Sequence, residues 1–354
     1  MLKRSQAPFV TALALFAFGG SAPVNGQDEP FRALFDGQSL AGWVNVNCAS
    51  DTWVARDGMI VCSGKPTGVL RSERMYENFV LELDYRHLHA GGNAGLFVWS
   101  DPITARGVPF TRSIEVQVMD GVETKDYTSH GDIFSIHGAR MTPDRPHPGG
   151  WERCLPSEKR AKPAPEWNHY RVTCDRGDIE LELNGKVVSG GHDIRPRKGY
   201  ICLESEGSEV HFRNLRIREL EPAPEPLANE LLCARDLGFR SLYDGQGFSA
   251  WRFEPVHEGH WRAQDWTLEF DGQGDSLWTK EQFGDFELIV DWRWPAAPTK
   301  KRVPRILPDG SQATDEKGEP VLVEVDEAGD SGIYLRGDSK SQVNIWCWPI
   351  GSGE

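Results

Sequence analysis

The polar residues with the most pointed spacing in this 354-residue chain are those of Glu115-Val-Gln117-Val-Met-Asp120. On a β-strand, side chains i and i+2 share a face. Glu115 and Gln117 therefore point one way, while Ile114, Val116 and Val118 point toward a core. A carboxylate beside an amide on the polar face of a curved sheet suits proton transfer and hydroxyl recognition. Asp120, just past the strand, can reach the same groove through a turn. Glu204 and Glu206 share a face of another strand and offer a second carboxylate pair opposite Glu115. The competing reading of both pairs is ordinary surface charge.

Residues 121–166 join two strands through more than forty residues and hold His130, His137 and His147. Connections that long are usually functional or disordered. His137 is the best-placed catalyst among the three because it follows the apolar run Ile133–Ile136. His87 and His89 alternate on the strand leaving Tyr85 and are candidates for the same groove. A His/Asp/Glu metal site is one alternative, but no spacing demands it, so a divalent ion stays open and no cofactor is indicated with certainty. Asp84 and Arg86 stand at same-face spacing, which reads as a half-buried ion pair. Arg86 and Trp99 join Gln117, Asp120 and Glu206 as candidates for holding substrate.

Short strands must position these residues. Phe79–Tyr85, Gly95–Trp99, Ser113–Val118, Tyr170–Cys174, Ile179–Leu183, Tyr200–Leu203 and Val210–Ile217 alternate or run apolar, and amphipathic helices are nearly absent. Asn184-Gly185 between two such runs is a strong hairpin signal. The expected fold is all-β, a two-sheet antiparallel β-sandwich.

The chain also repeats itself. FRALFDGQSLAGW (31–43) and FRSLYDGQGFSAW (239–251) share seven of thirteen positions at an offset of 208. Trp53 and Asp57 recur as Trp261 and Asp265, Phe79–Arg86 as Phe286–Arg293, and Asn93-Ala-Gly95 as Asp330-Ser-Gly332. This order of blocks predicts duplication, with one complete copy over 31–220 and a second, truncated copy over 239–354. A Pro- and Glu-rich linker (221–238) stands between them. In the second copy Asn344 and Trp346 are expected to replace Glu115 and Gln117. A half sandwich exposes strand edges, so the second copy is expected either to be an incompletely recorded sequence or to depend on a partner surface.

Two cations, an apolar stretch near 8–18 and small residues up to Gly26 predict a signal peptide over 1–26, hence a secreted or periplasmic protein. No later segment reads as a membrane span. A net charge of −14 argues against nucleic acid as a partner. Seven cysteines fit no zinc spacing, so buried thiols or one disulfide, such as Cys48–Cys62, are expected. The 13 Trp exceed what two cores need, which points to sugar-stacking surfaces.

LFDGQSLAGW (34–43), the strand with Asp84 and Arg86, Asn93-Ala-Gly95, Glu115–Asp120, Glu166-Trp-Asn168, Leu183-Asn-Gly185 and Phe212–Ile217 together make a recognisable series. The chain resembles the 3-keto-disaccharide hydrolase family, formerly a domain of unknown function. The resemblance implies a concanavalin A-like jelly roll of the lectin and glucanase type, acting on a glycoside or oligosaccharide. It implies cleavage of glycosides oxidised at C3 by removal of the C2 proton, elimination and hydration. Many members carry Leu-Gln-x-His-Gly before the last strand, whereas this chain reads Leu203-Glu-Ser-Glu-Gly207. Catalysis by Glu115, His137 and Glu204 is the expectation; a non-catalytic, lectin-like binding protein is the alternative.

Overall fold

The computed structural model describes residues 30–233 and 237–346. The expected signal peptide and Cys347 lie outside the described residues. Contacts divide the chain into two units. The first runs to Ser249 and includes Gly259–Gln273; the second comprises Ala250–Glu258 and the chain from Gly274.

Sixteen strands of the first unit form two antiparallel sheets. The first eight are β1 (Arg32–Ala33), β2 (Trp43–Val46), β3 (Trp53–Arg56), β4 (Met59–Cys62), β5 (Gly68–Ser72), β6 (Phe79–His87), β7 (Asn93–Ser100) and β8 (Ser113–Met119). The others are β9 (Ile133–Ile136), β10 (Arg140–Pro143), β11 (Arg153–Cys154), β12 (Asn168–Asp175), β13 (Asp178–Leu183), β14 (Lys186–Arg195), β15 (Tyr200–Ser205) and β16 (Val210–Glu219). One sheet has nine strands, ordered β10-β14-β13-β12-β6-β16-β4-β3 with β1 on β16. The other has seven, ordered β11-β9-β8-β7-β15-β5-β2. Asn184 and Gly185 both take positive φ in the turn between β13 and β14, as a tight hairpin requires.

The core lies between the sheets, where the period-2 pattern puts it. Phe79, Leu81, Leu83 and Tyr85 of β6 face Leu96, Val98, Ile114, Val116 and Val118 of β7 and β8. The outer face of the seven-stranded sheet is covered as well. Val69, Phe97, Tyr200 and Cys202 form a second apolar cluster there, with Phe110, Ile136, Val46 and Met75 packed against it. Polar residues of this face are consequently buried rather than solvated.

Several sequence expectations change at this level. Trp99 does not join the outer face with Phe97. The chain bulges there, Trp99 takes φ +51°, and its ring turns into the inter-sheet core, where Nε1 donates to Glu77 O at 2.7 Å. His87 likewise continues the core-facing row of β6, and its Nε2 lies 3.1 Å from Val118 O.

Asp84 and Arg86 do not pair. Asp84 binds His169 Nδ1 (2.8 Å), Arg213 Nε (3.1 Å) and Asn214 Nδ2 (2.7 Å), while Arg86 lies over the Trp167 ring at 4.6 Å. Burial alone would raise Asp84, yet the bonds from His169, Asn214 and Arg213 hold it below its ordinary value. Asp84, His169, Asn214 and Arg216 line a cavity of about 540 Å³ with Asp36, Gly37 and Gly58. Its carboxylates are already engaged, Asp84 as above and Asp36 by Gln38 and Ser39, so its charges are spent on holding the fold.

The predicted linker docks on the sandwich. Glu221 O accepts from Asn78, Ala223 N donates to Glu77, Leu231 O accepts from Arg197 N, and Leu232 is buried. The six described cysteines are all free thiols, so Cys48 and Cys62 are not bridged.

Past β16 the described chain makes two-stranded ribbons. β17 (Trp251–Arg252) pairs with β20 (Trp278–Thr279), and β18 (Trp261–Gln264) with β19 (Thr267–Phe270). β21 (Thr299–Pro304) pairs with β22 (Leu322–Glu327), and β23 (Asp330–Leu335) with β24 (Asp338–Trp346). Residues 286–293, the sequence counterpart of β6, form no strand.

Candidate active site

Glu115 and Gln117 come from β8, Gly95 and Asn93 from the neighbouring β7, and Glu204 from β15 on the far side of β7. Cross-strand register places Gln117 opposite Gly95 and Glu115 opposite Phe97. Gly95 has no side chain, and that opening is what the carboxylates use. A Cβ built on it would sit 2.8 Å from Glu204 Oε2 and 2.9 Å from Glu115 Oε1. The two acids thus face one another across a single glycine, closer than those two lengths combined. A glycine inside a strand often marks such a close approach.

Both acids are buried, Glu115 at 6% and Glu204 at 1% exposure. Burial, the charge of Glu206 and a partial offset from Arg153 leave Glu115 pushed up to about 8. Burial followed by the charges of Glu115 and Glu206 drives Glu204 well above the usual carboxylate range. Two carboxylates this close in a low-dielectric site disfavour one another's ionisation, so the charge on either raises the other. Among the described residues Glu204 Oε2 has no hydrogen-bond partner, and it is the oxygen nearest the gap over Gly95.

The supporting residues are more numerous than the sequence reading foresaw. Gln117 Nε2 donates to Asn93 Oδ1 (3.0 Å), Ala94 O (3.2 Å) and Glu115 Oε1 (3.5 Å). Asn93 in turn donates to Glu206. The chain Glu206–Asn93–Gln117–Glu115 fixes the orientation of Glu115, and Gln117 acts there as a brace. Arg153 of β11 lies over the Phe134 ring at 3.6 Å and binds Asp132 at 2.8 Å. Asn93 and Gly95 carried a sequence signal, since that block recurs; Arg153 carried none, because only sheet order brings β11 to β9 and β9 to β8.

The other candidates sit elsewhere. Arg86 belongs to the outer face of the nine-stranded sheet, away from the acids. Asp120 turns from the groove and clamps two loops, accepting from Ala164 N (2.8 Å) and Gly91 N (3.2 Å). His137 stands exposed at the rim, stacked on Phe110 (6.2 Å), which packs edge-on to Phe97. Burial by this stack lowers its pKa, and no hydrogen bond joins it to either acid. His130 braces its loop through Glu123 and Ala161 N, and His147 through Lys125 O and Gly149 N. Among the described residues no group of three or more His, Cys, Asp or Glu is arranged to hold a metal ion.

The fold and site define a jelly-roll β-sandwich with a buried acid pair on one sheet face. The chain belongs to the family of the 3-keto-alpha-glucoside-1,2-lyase-like domain, whose model matches residues 30–218 and 238–348. It is similar to a 3-keto-disaccharide hydrolase of Bacteroides thetaiotaomicron, 22% identical over 237 residues, or 54% of this chain and 79% of that protein. A solved candidate glycosyl hydrolase from Parabacteroides distasonis superimposes with TM-score 0.44 at 22% identity, over 55% of this chain and 96% of that one. A carbohydrate-binding module of Bacillus subtilis does so with TM-score 0.37 at 15% identity, over 50% of this chain and 96% of that one.

Proposed function

We propose that the first sandwich cleaves the glycosidic bond of 3-keto-glycosides, with Glu115 as base and Glu204 as acid. The observation that carries this reading is the acid pair facing itself across Gly95 with lifted pKa values. A ketone at C3 acidifies the C2 proton, so a carboxylate can remove it and leave an enolate. The enolate then expels the C1 oxygen, and that leaving group takes a proton from the second acid. Hydration of the resulting double bond releases the 3-keto sugar. A base near neutrality beside a protonated acid fits these two steps, because environments that push two carboxylates apart define their roles.

Gln117, whose amide N–H groups are engaged, supports Glu115 rather than the enolate oxygen. Export to the periplasm or medium is part of the same proposal and rests on the N-terminal 26 residues. The test is Glu115→Gln in the full chain, assayed on a 3-keto-disaccharide. A rate loss of about 10³-fold with the fold intact is expected; wild-type turnover would sink the assignment. Binding without cleavage in the wild type would favour the lectin-like alternative.

A further inference from the structure

Resting on that reading, the structure assigns a second sugar subsite to Tyr127, Trp151 and Arg153, where the ring on the leaving-group side of a disaccharide stacks. Register carries the argument. Arg153 is opposite Phe134, and Phe134 is opposite Glu115, so one row of side chains crosses the outer sheet face from the acids to the β11 edge. Core-facing Ile133 and Cys154 confirm that Phe134 and Arg153 share the outer face with Glu115. Two strand spacings, about 10 Å, separate the row's ends. A ligand seated at Glu115 and extended along this row meets Phe134 and Arg153 next.

The far end of the row is an exposed aromatic shelf on stiff supports. Arg153 lies between Phe134 (3.6 Å) and Tyr127 (5.9 Å), with Asp132 fixing its guanidinium. Tyr127 is held in a tight loop by Thr124, whose Oγ1 accepts from Tyr127 N at 3.0 Å. Trp151 is 51% exposed, yet its indole lies flat on the His147 imidazole at 4.3 Å and 8°. His147 is itself buried and pinned by Lys125 O, in the loop that carries Tyr127, and by Gly149 N of its own loop. One indole face is thus backed and the other is open. Large aromatics held rigidly in water at the end of the side-chain row that starts at the acids match a pyranose, which presents a flat C–H face and a rim of hydroxyls. Arg153 supplies donors to that rim.

The experiment compares Tyr127→Ala and Trp151→Ala with the wild-type full chain on a 3-keto-disaccharide and on methyl 3-keto-glucoside. The expected result is a fall of about tenfold in disaccharide-over-methyl selectivity, read as kcat/KM, with the melting transition in place. Equal losses on both substrates, or no loss on either, would overturn the subsite. If the wild type cleaves neither, titration of an unoxidised disaccharide by Trp fluorescence separates the two ideas. Quenching that is lost in Trp151→Ala keeps the subsite while the catalytic reading fails; its absence in the wild type ends the subsite too. A phenyl 3-keto-glucoside arm reports whether any flat ring suffices.

Discussion

Phe79–Arg86 and Phe286–Arg293 are near-copies in sequence and opposites in structure. The first is β6, central in a nine-stranded sheet with β12 and β16 on either side and Leu83 wholly buried. The second forms no strand, and Val290, the counterpart of Leu83, is 51% exposed. The neighbours explain it. Strands β12 and β16 bond β6 along both edges, whereas residues 286–293 pair with no strand among the described residues. A strand pattern states which face is apolar, but a ladder needs a second chain segment to bond.

The two site hairpins differ in the same instructive way. In the first, Gly95 is opposite Gln117 and Phe97 opposite Glu115. In the second, Gly332 is opposite Asn344 and Tyr334 opposite Gln342. By register, Gln342 and Asn344 therefore stand where Glu115 and Gln117 do, two residues earlier than counting along the chain suggested. Gln342 Nε2 donates to Asn344 Oδ1 at 3.1 Å, the reverse of the first hairpin, where Gln117 donates to Glu115. The second hairpin keeps the shape of the first and replaces its carboxylate with an amide.

The comparison can be broken by mutation. The largest effect is expected from Glu115→Gln, which gives the first site the side chain of the second and should silence it as described above. Next, Leu83→Ala should cost about 2–5 kcal/mol in denaturant unfolding, whereas Val290→Ala should stay within about 0.5 kcal/mol. Similar costs at the two positions would mean that the second segment is packed like the first. Gly95→Ala should cost about 1–3 kcal/mol and impair cleavage, since its methyl meets two buried acids. Gly332→Ala should be milder, because its nearest obstacle is the amide end of Gln342 on an exposed ribbon.

Proton linkage gives a subtler difference. Glu115 and Glu204 titrate higher folded than unfolded, so their contribution is fully present below about pH 4.5 and is lost as pH rises to about 8. Glu204→Gln relieves that loss, and its melting temperature relative to wild type should climb between pH 5 and pH 9. A flat difference would mean that the pair is not proton-coupled. The smallest effect is expected from Gln342→Glu, which places a carboxylate at the register position of Glu115 on an exposed ribbon. Cleavage should remain unchanged, and a gain would reveal a second active site.

Much of the first sandwich was legible in sequence because strand periodicity is local. Ile114, Val116 and Val118 point inward and Glu115 and Gln117 outward as alternation requires. Asn184-Gly185 makes its turn. Trp99 broke the rule through a bulge, which alternation alone does not announce. Asp84 and Arg86 have the spacing of a pair, yet stronger partners on β12 and β16 took Asp84. The long segment 121–166 looked catalytic for its histidines, and two of them turned out to be loop braces.

The sequence by itself determined the all-β class, the face on which each acid lies and the family, since these follow from residue type and a two-residue period. Tertiary structure alone decided that β7 lies between β8 and β15, which puts Glu115 and Glu204 across one glycine. It also decided that a loop bearing Phe110 covers their sheet face. That covering turns a polar strand face into a buried acid pair, because the cost of ionising a carboxylate depends on what surrounds it.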